Sequence, residues 1–176
     1  VLVNEKMEST LGGVYAVGSV TGCSPDPALA EEQARVAVKN ALGKDKVMNQ
    51  DHVPKIIRTD PEIACVGSTA ANAHYKGFRA VEGVCNYNTL DHSLVSRETA
   101  GLFKVIADKT SKKVIGVQIV GKGAGEMISL AVLALKKGLG VSDLATISCA
   151  WPSRMQGLKK AARKCLDLLT EKRMVS

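Results

Sequence analysis

Leu102-Phe103-Lys104-Val105-Ile106-Ala107 and Val114-Ile115-Gly116-Val117-Gln118-Ile119-Val120 are two apolar, largely β-branched runs separated by the polar Lys109 to Lys113. Two such runs around a short polar turn predict an antiparallel hairpin. Just beyond it, Gly123 to Lys137 sets Met127, Ala131, Ala134 and Leu135 on one face of a helix, and Gly138 stands where that helix must stop. Strands pairing with their neighbours and then giving way to packed helices define an α+β class: an antiparallel sheet flanked by helices over residues 50 to 176.

The flanking segments extend this pattern. Val53 to Arg58 and Glu62 to Val66 predict strands on either side of Asp60-Pro61, Ala70 to Tyr75 a short helix closed by Gly77, and Phe78 to Cys85 another strand. Val141 to Ile147 predicts a short helix. Ser153 to Leu169 predicts the closing one, with Met155, Leu158, Ala162, Cys165, Leu166 and Leu169 along one side. Ser153 and Gln156 have capping-box spacing, with Pro152 just ahead.

Towards the start, Val1-Leu2-Val3 and Val14-Tyr15-Ala16-Val17-Gly18 suggest two short strands. Asp26 to Leu42 predicts a helix with Ala30, Ala34, Ala37 and Ala41 at helical spacing, stopped by Gly43. The polar Gly43 to Asp51 suggests a linker, dividing the chain into residues 1–48 and 49–176. No internal repeat is visible. The start at Val1, without Met and directly in an apolar stretch, fits a processed product or a fragment, and no targeting segment is visible.

With 176 residues, 45% hydrophobic and 23% charged, the composition is that of a globular chain. Aromatic residues make up only 3%, so the core falls to Val, Leu, Ile and Ala. No run of apolar residues is long enough for a membrane-spanning helix. The net charge of +7 suits acidic proteins, anionic lipid or nucleic acid, of which nucleic acid is least favoured because no aromatic-interleaved basic stripe is present. Five scattered cysteines (Cys23, Cys65, Cys85, Cys149, Cys165), with no C-x-x-C, suggest buried reduced thiols. Isolated His52, His74 and His92, in a linker, a helix end and a loop, have no metal-ligand spacing.

Three segments, in order, resemble the pyridine nucleotide–disulfide oxidoreductases, with the dihydrolipoamide dehydrogenase branch the nearest likeness. They are Val3 to Thr10 leading to Val14-Tyr15-Ala16-Val17-Gly18-Ser19; Val53-Pro54 through Thr59-Asp60-Pro61-Glu62-Ile63-Ala64-Cys65-Val66-Gly67; and Gly101 to Leu158, including Ile119-Val120-Gly121-Lys122-Gly123-Ala124-Gly125-Glu126-Met127. The resemblance implies a remnant of an FAD-binding α/β domain (a strand pair plus helix) over 1–48 and the family's interface, or dimerisation, domain over 49–176. The family's catalytic disulfide and its flavin and nicotinamide glycine fingerprints match nothing here. Gly121 to Gly125 is similar to the family's strand-to-helix turn, not to a phosphate loop.

The resemblance also assigns roles to positions. The family's catalytic corner reads His-Pro-Thr-x-x-Glu; here Cys149-Ala150-Trp151-Pro152-Ser153-Arg154-Met155-Gln156 puts Trp151 at the His position and Gln156 at the Glu position. Dithiol oxidation needs a base near neutral pKa and a carboxylate to orient it. An indole offers only an N–H donor and an amide carries no charge. No catalytic residue is therefore expected, while Gln156 could still accept a hydrogen bond from the helix start. The family's flavin contacts fall on Gly18, Ser19, Ala28, Leu29 and Ala30, with neutral Ser19 replacing the ribityl-binding Asp. No cofactor is expected on this chain alone, and FAD where an upstream domain is present.

The last helix is strongly basic: Arg154, Lys159, Lys160, Arg163, Lys164, Lys172 and Arg173 against Asp167 and Glu171 make +5 of the total +7. Lys159, Lys160, Arg163 and Lys164 lie off the apolar seam, as either a solvated face or a docking face for an acidic protein or a membrane surface. The expected function is a non-catalytic interface-domain protein serving as an assembly or accessory subunit, as a homodimer or within a larger complex. The alternative is the C-terminal portion of a FAD-dependent, NAD(P)H-linked disulfide oxidoreductase with altered chemistry. The absence of disulfide patterning suits the mitochondrial matrix or chloroplast stroma.

Overall fold

The computed structural model describes residues 1–23 and 25–170. They form two compact units, one from Val1 to Lys55 and one from Ile56 onward. No helix among the described residues is long and apolar enough to cross a membrane.

The second unit is built on a five-stranded antiparallel sheet. Its strands are β1 (Lys55–Ile57), β2 (Ile63–Gly67), β3 (Ala80–Asn86), β4 (Leu102–Asp108) and β5 (Val114–Val120), in the order β1-β2-β5-β4-β3. The hairpin read from sequence is its centre: Val105 pairs with Val117, and the register shifts between Ile106 and Ala107. Outward from there, Val66 pairs with Val117 and Gly83 with Val105.

Period-two alternation sends Ala64, Val66, Cys85, Phe103, Val105, Val117 and Ile119 into one apolar core. Each fully buried Val, Ile or Phe contributes roughly 1.5–3 kcal/mol relative to exposure. Across β3 and β4, Lys104 Nζ lies 3.4 Å from Glu82 Oε2, an ion pair that supports the strand pairing modestly because both side chains are partly exposed.

Helices complete that core. The short α2 (Ala70–Ala73) follows β2, and α4 (Ala124–Lys137) packs on β5 and β2 through Ala124, Ile128, Ala131, Ala134 and Leu135. It ends at Gly138, whose left-handed φ of 61° lets the chain turn while its N–H bonds back into the last turn. Then α5 (Val141–Thr146) packs on α6 (Met155–Thr170), and α6 lies across β3 and β4. The approach of α6 is very close: a Cβ at Gly83 would stand 2.2 Å from the Ala161 carbonyl oxygen, and one at Gly157 2.3 Å from the Phe103 ring.

The first unit holds α1 (Pro27–Ala41), capped by Asp26, whose Oδ1 accepts from Ala28 N at 2.9 Å and Leu29 N at 3.4 Å. Its buried face is Leu29, Gln33, Val36 and Ala37. That differs from the alanine spacing, since Ala41 is exposed; the larger Leu and Val side chains gain more from burial and set the face. The two expected strands do not form. Val3–Ser9 and Glu8–Tyr15 are isolated bridges, and Val1 and Leu2 are exposed. Asn4 takes the backbone instead, its Oδ1 accepting from Lys6 N and Glu8 N to close a tight turn. In Gly43 to Asp51 only Met48 is buried, joining Met7, Leu29 and Val53 in the first unit's core, while the rest of that segment is exposed.

Candidate functional site: the Trp151–Pro152 corner

Pro152 lies in the α5–α6 connection, three residues before Met155 opens α6, and Trp151 projects from it, 74% exposed. Trp151 Nε1 donates to Asp91 Oδ2 at 3.2 Å, across to α3 (Asp91–Ser96). Nothing in local spacing signals this partner, which is sixty residues away. One turn on from Asp91, Leu94 and Val95 of the same short helix are also exposed.

The expected capping box does not form. Ser153 Oγ is buried without a partner among the described residues, and the first bonds of α6 are Gln156 N to Ser153 O and Gly157 N to Arg154 O. The Gln156 side chain donates, through Nε2 to Ala150 O at 3.5 Å, where an accepting role was expected. Main-chain carbonyls satisfy the helix start before either side chain is needed.

Beside the corner, Glu98 is clamped between Lys122 and Arg154. The hydrogen bond from Lys122 holds its carboxyl below the usual range, against partial desolvation and with help from the Arg154 charge. Tyr87 is fully buried, stacked on Phe103 at 5.1 Å between ring centres, and burial pushes its hydroxyl up to about 12. Both shifts lead away from neutrality, so neither group substitutes for an imidazole. Chemically, the corner offers an anchored indole, a neutral amide and a locked ion-pair cluster.

The remaining predicted site residues fall elsewhere. Gly18 and Ser19 lie in a 3₁₀ turn over Gly18–Thr21; Gly18 N donates to Gln33 Oε1 at 2.7 Å, and Ser19 is exposed. The N–H groups of Ala28 and Leu29 are already bonded to Asp26, and Leu29 is buried in the core beside half-buried Ala30. At the other glycine-rich turn, Gly125 N donates to Glu62 Oε2 at 2.8 Å, so a carboxylate of the fold itself occupies the start of α4.

Lys159, Lys160, Arg163 and Lys164 come together with Gln156 and Asp91 around one cleft. Glu171, Lys172 and Arg173 lie outside the described residues. Cys85 and Cys165 are buried while Cys23, Cys65 and Cys149 are half-buried, so only part of the expected thiol burial is found. His92 is in α3, not a loop, and no cluster of three metal-ligating side chains occurs among the described residues.

Residues 53–162 match the family model for the pyridine nucleotide-disulphide oxidoreductase dimerisation domain. A mercuric reductase of Bacillus cereus is 33% identical over 162 residues, covering 92% of this chain and 26% of that protein. Dihydrolipoyl dehydrogenase 1, mitochondrial, of Arabidopsis thaliana is 34% identical over 170 residues, covering 95% of this chain and 33% of that protein. The crystal structure of LpdA from Mycobacterium tuberculosis superposes with a TM-score of 0.85 at 27% identity, over 92% of this chain and 35% of that one. The chain thus spans about a quarter to a third of the length of these relatives.

Proposed function

Since this chain belongs to the pyridine nucleotide–disulfide oxidoreductase family, through its dimerisation domain, we propose that it works as a non-catalytic interface unit whose corner makes contact instead of moving protons. The supporting observation is Trp151. A 74% exposed indole stands where the resemblance places an imidazole, with its only polar hydrogen committed to Asp91. Exposed aromatic anchors are what protein interfaces bury at their centres, and α3, which holds the indole through Asp91, exposes Leu94 and Val95 as well. The partner proposed is a second copy of this chain, in an assembly or accessory role.

The family is FAD-dependent, but the matching positions here suit a flavin poorly. Ser19 supplies no ionised acceptor, and the first N–H groups of α1 are held by Asp26. The mitochondrial matrix or chloroplast stroma is the compartment proposed, supported by the mitochondrial Arabidopsis relative.

A second reading, the C-terminal portion of a flavoenzyme with altered chemistry, draws on one observation: the likeness to both named enzymes runs through both units of the chain. Absorption spectra and nicotinamide oxidation of the purified full-length protein separate the two. The interface reading expects neither a flavin band nor turnover, and no dithiol oxidation after Trp151→His with Gln156→Glu. A flavin band with turnover would overturn it.

A further inference from the structure

The cleft beside the corner has a volume of about 650 Å³ and, among the described residues, carries four cations against a single carboxylate, Asp91. That size lies within the range of small-molecule sites, roughly 300–1,000 Å³. The cations are Lys159, Lys160, Arg163 and Lys164, spaced i, i+1, i+4 and i+5 along α6, so they share one side within ~7.5 Å of helix length.

None of the four is ion-paired among the described residues. Two are steered by neutral carbonyls: Lys160 Nζ donates to Thr89 O at 3.0 Å, and Arg163 Nη2 to Ala145 O at 3.4 Å. These bonds set the position of the charge without neutralising it. Each side chain keeps further donors free, and a guanidinium can still grip an oxyanion with two parallel N–H groups. Asp91 is turned to the Trp151 indole.

We propose that this cleft binds a small molecule bearing a di- or triphosphate, with Arg163 as the bidentate contact and Lys159, Lys160 and Lys164 as its counter-charges. Spacing distinguishes this from other anions. Acidic residues on one face of an extended peptide stand ~6.8 Å apart, so a peptide brings about two charges into this length. A triphosphate concentrates more charge in the same span. A lipid surface is flat and cannot enter a concave cleft. The proposal does not depend on the interface reading.

Trp151 is the only tryptophan and is bonded to a residue of the cleft wall, so its fluorescence reports occupancy. The test titrates the protein with inorganic triphosphate, pyrophosphate, citrate, hexaglutamate and phosphatidylserine vesicles, following fluorescence and heat. The double variant Lys159→Gln/Arg163→Gln is compared with Lys137→Gln, an exposed cation on α4 outside the cleft. Saturable triphosphate binding, weakened at least tenfold in the double variant and unchanged in the control, is expected, with thermal unfolding the same in all three. Absence of saturation, equal affinity in the double variant, or citrate, hexaglutamate or vesicles binding as tightly as triphosphate would overturn the proposal.

Discussion

Trp151 Nε1 and Asp91 Oδ2, 3.2 Å apart, join the corner before α6 to the first turn of α3. This bond fixes the direction of an otherwise solvent-facing indole. If orientation matters to association, Asp91→Ala should weaken self-association about fivefold, the equivalent of one hydrogen bond of about 1 kcal/mol. Trp151→Phe removes the same bond while keeping an aromatic ring. The two changes together should therefore cost less than the sum of their separate effects, measured as a double-mutant cycle by sedimentation equilibrium.

The contact of α6 with the sheet leaves no room for side chains at two glycines. Gly83→Ala drives a methyl group into the main chain at Ala161 and Cys165, where nothing flexible can yield. Gly157→Ala meets the Phe103 ring, which is itself stacked on Tyr87. Each should destabilise the second unit by about 1–3 kcal/mol, read from urea midpoints, with the Gly83 change the worse because the obstacle is backbone.

Alkaline pH should weaken the fold through two buried acids that are neutral in the native state. Burial raises the Cys165 thiol from 9.0 to about 11 and the Tyr87 hydroxyl from 10.0 to about 12. Between its unfolded and folded values each group holds more protons when folded, so stability falls as pH rises. The decline should begin near the unfolded thiol value of 9.0 and steepen above 10.0. In Tyr87→Phe, the part arising between the tyrosine's two values should vanish from thermal melts recorded across this range.

The first unit should respond separately to loss of its helix cap. Asp26→Ala removes the acceptor for Ala28 N and Leu29 N and should cost about 1 kcal/mol. Hydrogen exchange should show faster opening of α1 with no change in β4 or β5.

The central hairpin and α4 were legible from sequence because their periodicities are strong and Gly138 marks the stop of α4. The strands suggested by Val1-Leu2-Val3 and by Val14 to Gly18 were not, because three to five apolar residues do not say whether a partner strand exists. Asn4 closes a turn there instead. The corner was legible in its residue types but not in its contacts. Asp91, Glu98 and Glu62 reach Trp151, Arg154 and Gly125 only through tertiary folding, and no spacing announces such pairs. Likewise, Lys159, Lys160, Arg163 and Lys164 were visible as a basic face, but the cleft they line depends on Thr89 and Asp91 arriving from another part of the chain.

The most direct test of the contact role is sedimentation equilibrium of the unaltered chain and of Trp151→Ala across a wide concentration range. The account predicts a reversible dimer whose dissociation constant rises at least tenfold in the variant, or about 1.4 kcal/mol, with an unchanged melting temperature. A chain that stays monomeric throughout, or a dimer indifferent to losing the indole, would contradict it.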